Sequence, residues 1–239
     1  MTTSEIRPPG VIGSFGSGVA NFVGNAWRFL VANLIFGAIF VVMATYGSRT
    51  QLAYLLAIVL ILPVAGLMRM AAVQVRTRQG ARMSDFLAPM RRPWHILLLG
   101  TIQLVIGLVM WIDVVVGLGS GQWLPAILAI GALYLLLGLW SYALIAWPLL
   151  LDPLHDGEPV RARLSLALQV LLTSPMRVLA FAVLSGLLLG LATAAVGLVV
   201  TVALALIWLS IASFSLTLVD RFEARAQAQA GSGTNATQQ

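Results

Sequence analysis

Four side chains able to hold a divalent cation crowd into one short stretch, LDPLHDGEP, where Asp152, His155, Asp156 and Glu158 fall within seven residues. Carboxylate oxygens and an imidazole nitrogen form a ligand set that suits such ions. The stretch is equally a turn. Pro159 ends it, and Glu158 stands near the start of the next helix, where the dipole favours a negative charge. The turn is the expectation, and no metal is assigned. A glycine-rich run, GSFGSGVANFVG at 13–24, resembles a phosphate loop, but Asn21 stands where G-x-G-x-x-G needs its third glycine and no strand precedes it. It is expected to be a flexible lead into an interfacial helix. All 14 basic residues are arginine, so neither a Walker A lysine nor a Schiff-base amine exists. With no G-x-S-x-G, no H-E-x-x-H and no cysteine, the chain is read as non-enzymatic, with no catalytic residue and no cofactor.

The elements that carry these residues are long and apolar. Hydrophobic residues make up 60% of the 239-residue chain and charged residues 9%, against about 25% charged in an ordinary soluble protein. The mean hydropathy is +0.97, and a single globular core cannot hide that much apolar surface. The fold expected is an all-α, polytopic membrane helix bundle of about six transmembrane helices, arranged as three hairpins with amphipathic elbows at the interface. The spans fall at about 29–48, 50–68, 96–113, 124–148, 178–194 and 198–219, each near the ~20 residues that cross a bilayer. Residues 1–24 form the lead and the start of an elbow, 25–222 the single helical domain, and 223–239, which is low in complexity, a disordered tail. The first apolar run lacks a small-x-small cleavage site and is expected to remain in the mature protein.

A net charge of +6 would suit nucleic acid on a soluble domain, but here the arginines flank apolar runs, which is a topological pattern. If both termini are cytoplasmic, every arginine except Arg49 faces the cytoplasm, as the positive-inside rule requires. The expected location is therefore a cytoplasmic membrane, and the expected contacts of the basic face are anionic headgroups, with no nucleic acid. Arg69, Arg76, Arg78, Arg82, Arg91, Arg92, Arg161 and Arg163 are the candidates for headgroup contact or for docking a cytoplasmic partner. Arg161, Ser165, Gln169 and Thr173 line one stripe of the helix at 159–173.

Inside the spans, Asn33, Gln103 and Asp113 are the polar candidates. An intramembrane carboxylate is a functional candidate by default, but Asp113 follows Trp111 at a span boundary, where an interfacial helix end explains it. If the three residues line a path, the protein is a small secondary transporter or channel. Gly186, Gly190 and Ala194 form a small-xxx-small ladder, expected to serve internal helix packing and also suited to a homo-oligomer face.

Three stretches resemble the YesL-like family of small bacterial membrane proteins: FVGNAWRFLVANL, LPVAGLMRMAAVQVRTRQGARMSDFLAPMRR, and WPLLLDP followed by RARLSLALQVLLTSP. The resemblance runs from about Phe22 to Phe222. It implies the same helical topology and an accessory or scaffolding role beside ABC-type sugar importer subunits, and it carries over no catalytic residue. This chain departs from the family in using arginine where lysine is usual and in its alanine-rich connector.

Overall fold

The structure is a computed structural model, and it describes residues 11–23, 26–42, 52–77, 80–91, 93–194 and 203–236. Every regular element among these residues is a helix, and the protein is a helical membrane bundle. In chain order the helices are α1 (Val11–Val23), α2 (Ala26–Val42), α3 (Leu52–Arg76), α4 (Met83–Arg91), α5 (Pro93–Gly119), α6 (Trp123–Leu150), α7 (Val160–Thr173), α8 (Pro175–Ala194) and α9 (Leu204–Ala236), with a 3-10 turn at Pro153–His155 between α6 and α7.

Among the described residues four helices are by themselves long and apolar enough to cross a membrane, namely α3, α5, α6 and α9. Helices α7 and α8 pass that test as a pair, bent by 100° where Ser174 meets Pro175. Proline suits the first position of a helix, where its missing N–H costs nothing, so the chain can turn there and begin again. The apolar part of α2 is shorter, and the rest of the expected first span, like the turn expected near 193–197, lies outside the described residues.

Burial ranks the helices. In α9, 78% of the span is buried, against 11% in α5, so among the described residues α9 is the most enclosed span and α5 lies at the periphery. Lipid is as apolar as leucine, so such helices are held together by close packing and interhelical hydrogen bonds. Both are present. An added Cβ on Gly66 would lie 2.5 Å from Phe86 O, one on Gly100 2.6 Å from Ile61 Cγ2, and one on Gly117 2.5 Å from Pro125 O. These glycines set the α3–α4, α3–α5 and α5–α6 contacts. Ser215 Oγ donates to Leu144 O (2.6 Å), Trp140 Nε1 to Ala182 O (3.1 Å) and Tyr142 OH to Leu164 O (3.1 Å), tying α6 to α9, α8 and α7.

Several expectations are corrected. The glycine-rich lead is helical from Val11, and α1 packs along α9 rather than hanging as a flexible segment. Its small residues permit the approach: Gly18 abuts Ser210, Ser17 Oγ lies 2.7 Å from Ser213 Oγ, and Phe15 stacks on Phe181 at 5.2 Å. Phe181 stacks in turn on Phe214 at 4.1 Å, joining α1, α8 and α9. Beyond Arg225 α9 continues to Ala236, and the alanines and glutamines at 226–230 are good helix formers. Asp113 does not end its span. More than one further turn, Val114 to Gly119, follows it in α5, since one aspartate does not stop a helix whose neighbours are valines and leucine.

Candidate functional site

The loop that links α6 to α7 is a turn, and its side chains knit the arginine-rich end of the bundle together. Asp152 is completely buried. Its Oδ1 accepts from Leu154 N (3.2 Å), capping the 3-10 turn, and its Oδ2 accepts from Arg76 Nη2 at 2.7 Å. Arg76, at the end of α3, also donates Nη1 to both oxygens of Asp220 on α9, at 2.7 and 2.8 Å. One guanidinium therefore spans the loop and the central helix.

His155 completes the cluster. As imidazolium it donates Nδ1–H to Asp152 Oδ2 (3.0 Å) and Nε2–H to Glu223 Oε1 (3.2 Å). Burial acts to lower its pKa, but the hydrogen bonds to Glu223 and Asp152 and the charges of Asp152 and Glu158 outweigh that and hold it above the usual 6.5. Arg69 forms a bidentate pair with Asp156, Nη1 to Oδ1 at 2.7 Å and Nη2 to Oδ2 at 2.5 Å, and donates to Leu151 O at 2.8 Å. Arg163 donates to two backbone carbonyls, Leu150 O (2.6 Å) and Glu158 O (3.0 Å).

Two cavities lie in succession along α3, α5 and α6. The one at the arginine-rich end, about 420 Å³, is lined by Arg69, His95, Asp156 and Arg163 together with apolar side chains and Trp147. The second, about 470 Å³, is almost wholly apolar, and Trp147 borders it too. Trp147 Nε1 donates to Gln103 Oε1 at 2.6 Å on its wall. Trp208 also lines the apolar cavity, and its indole N–H has no acceptor among the described residues.

The residues singled out from sequence sort differently from the expectation. Arg69, Arg76 and Arg163 are not outward-facing docking cations: the first two are consumed in ion pairs and the third is turned into the bundle, 9% exposed. Asp156 draws in Arg69, and Asp152 and Asp220 draw in Arg76, while Arg163 is held by the carbonyls of Leu150 and Glu158; the ion pairs reach across more than 70 positions of sequence and leave no local signal. Arg82, Arg91 and Arg161 are exposed, with Ser165, Gln169 and Thr173 exposed on the same stripe as Arg161. Arg78 and Arg92 lie outside the described residues.

Asn33 is fully buried on α2, whereas Asp113 is exposed on α5. Gln103 and Asp113 are ten positions apart on one helix, about 15 Å along its axis, so the three polar residues are not gathered on one wall. The glycine ladder is also corrected. The packed face of α8 carries Val178, Phe181, Ala182 and Ser185, which turns Gly190 outward, with nothing within 4 Å of an added Cβ, and brings Gly186 only to 3.7 Å from Trp140 Nε1. The side chain of Ala194 lies outside the described residues.

A second basic group assembles from residues far apart in the sequence. Arg177 at the start of α8 and Arg225 on α9 border a common cavity of about 330 Å³ at the α7–α8 bend, and Arg221 lies beside them. The arginines come from separate segments, and their only signal in the sequence was a place at the same predicted end of two spans. No known family model, curated protein or solved structure matches the chain.

Proposed function

We propose that this is a non-enzymatic, multi-pass protein of a bacterial cytoplasmic membrane, with both termini cytoplasmic, that serves as an accessory or scaffolding component of a carbohydrate transport system. The observation that carries the reading is the ion-paired arginine-rich end. There Arg76, Asp152, Asp220 and His155 fix the α6–α7 loop to α3 and α9, while Arg82, Arg91 and Arg161 are exposed around it. A stiff base with free guanidinium groups suits a partner that presents carboxylates, because little ordering remains to be done when it binds. The resemblance to YesL-like proteins directs the choice of partner to ABC-type sugar importer subunits. The separation of Asn33, Gln103 and Asp113 weighs against a conduit.

The test is a mild-detergent pull-down of the tagged full chain from native membranes. Permease or ATPase subunits should co-purify in near-stoichiometric amounts and be lost when Arg82, Arg91 and Arg161 are all changed to glutamine. Recovery of the chain alone, with solute flux in liposomes that Asp113→Asn alters, would instead favour the secondary transporter or channel.

A further inference from the structure

The cavity at the arginine-rich end holds an electrostatic imbalance that the described residues do not resolve. Two guanidinium groups line it, from Arg69 and Arg163, with one carboxylate, Asp156, and His95 from the start of α5. Asp156 is taken up by Arg69. Arg163 is 9% exposed, its donors at Nη1 and Nη2 go to backbone carbonyls, and among the described residues it forms no ion pair. Its Nε–H, like that of Arg69, is buried without an acceptor. A buried cation needs a counter-charge and partners for its donors, and neutral carbonyls supply only part of that.

The shape of the surroundings says what kind of anion fits. At about 420 Å³ the cavity falls within the ~300–1,000 Å³ range of small-molecule sites. The apolar cavity of about 470 Å³ adjoins it along the same three helices, with Trp147 bordering both. Consecutive residues divide between them: Arg69 and Leu99 line the polar cavity, Met68 and Gly100 the apolar one. A charged compartment followed by an apolar one matches an amphiphile, and basic pockets between membrane helices hold anionic headgroups.

We propose that the two cavities form one binding site for an anionic phospholipid of the leaflet at the arginine-rich end. Its phosphate sits among Arg163, Arg69 and His95, and an acyl chain passes Trp147 into the apolar cavity. This goes beyond the scaffold reading and does not depend on which protein the chain accompanies.

The test uses the full-length protein, delipidated in detergent and titrated with dioleoyl phosphatidylglycerol, with bound lipid counted by native mass spectrometry. One phosphatidylglycerol should bind about tenfold more tightly than phosphatidylcholine, and Arg163→Gln should remove about that preference. The exposed Arg161→Gln should leave it unchanged. Leu99→Trp, which adds bulk to the polar cavity next to Gly100 of the apolar one without touching the ion pairs, should weaken phosphatidylglycerol binding and decides the matter if Arg163→Gln does not fold. Equal binding of the two lipids, or a Leu99→Trp protein that binds like the wild type, overturns the proposal. Displacement of the lipid by equimolar inorganic phosphate would also overturn it, marking a site for a free anion.

Discussion

Asp152 is the residue whose loss should matter most to the arginine-rich end, because three partners share a carboxylate with no exposure to water. Asp152→Asn keeps the volume but removes the charge and leaves Arg76, itself largely buried, with Asp220 alone. Breaking a buried ion pair on one side costs about 3–5 kcal/mol, so the variant should show a clear fall in melting temperature in detergent. Replacing both Asp152 and Arg76 with leucine and methionine should cost less than the single change, since the partners left behind are Asp220, whose side chain is half exposed, and His155, which keeps Glu223. His155 adds a pH dependence whose sign is fixed by its raised pKa. A group that binds its proton more tightly when folded stabilises the protein fully below the unfolded value of 6.5, and that contribution is lost as pH rises through the higher folded value. Thermal stability should therefore fall as pH is raised above 6.5, and His155→Gln should flatten the slope. A slope that survives in His155→Gln would assign the titration to another group. The sequence showed that LDPLHDGEP is a turn with closely spaced acids. It could not show that Arg76 and Asp220, separated by 144 positions, meet there, because ion pairing at that distance leaves no periodicity.

At the scale of the helix, the informative glycines are those that touch backbone rather than those spaced four apart. Gly66 faces Phe86, where an added Cβ would lie 2.5 Å from the carbonyl oxygen and 2.8 Å from Cδ2. Gly66→Ala must push α4 off α3, and overpacking of this kind costs about 1–3 kcal/mol. Among the described residues an added Cβ on Gly190 meets nothing within 4 Å, so Gly190→Ala should be neutral or stabilise by up to about 1 kcal/mol. A pair of melting curves for the two variants checks the contrast, and a result in the opposite order would mean that the Gly186–Gly190 face is covered in the membrane. The small-xxx-small pattern marked the second site and missed the first, since spacing along one helix says nothing about which face its neighbour takes. Helix existence was more legible: charge-free runs located α3, α5, α6 and α8 well. Ends were not, because α5 runs past Asp113 and α9 past Arg225, where neither an exposed carboxylate nor a low-complexity composition interrupts hydrogen bonding along the helix.

For the whole molecule, the distribution of charge is also a statement about which way it sits. Arg76 at the end of α3, Arg161 and Arg163 early in α7, Arg177 at the start of α8 and Arg221 and Arg225 late in α9 all gather at the end where α6 gives way to the 151–159 loop. The opposite end, where α5 turns into α6 through Gly121 at φ +67°, carries no arginine among the described residues. The positive-inside rule turns this asymmetry into an orientation, and the absence of cysteine from the chain makes it directly testable. Gly119→Cys adds a side chain that meets nothing within 4 Å, and Ser165→Cys replaces an exposed serine on the polar stripe of α7, so neither should disturb packing. In intact cells an impermeant maleimide should label the cysteine at 119 at once and the one at 165 only after the membrane is opened. The reverse pattern would invert the molecule. It would put the lipid site in the outer leaflet and remove the cytoplasmic partner that the exposed arginines are proposed to meet.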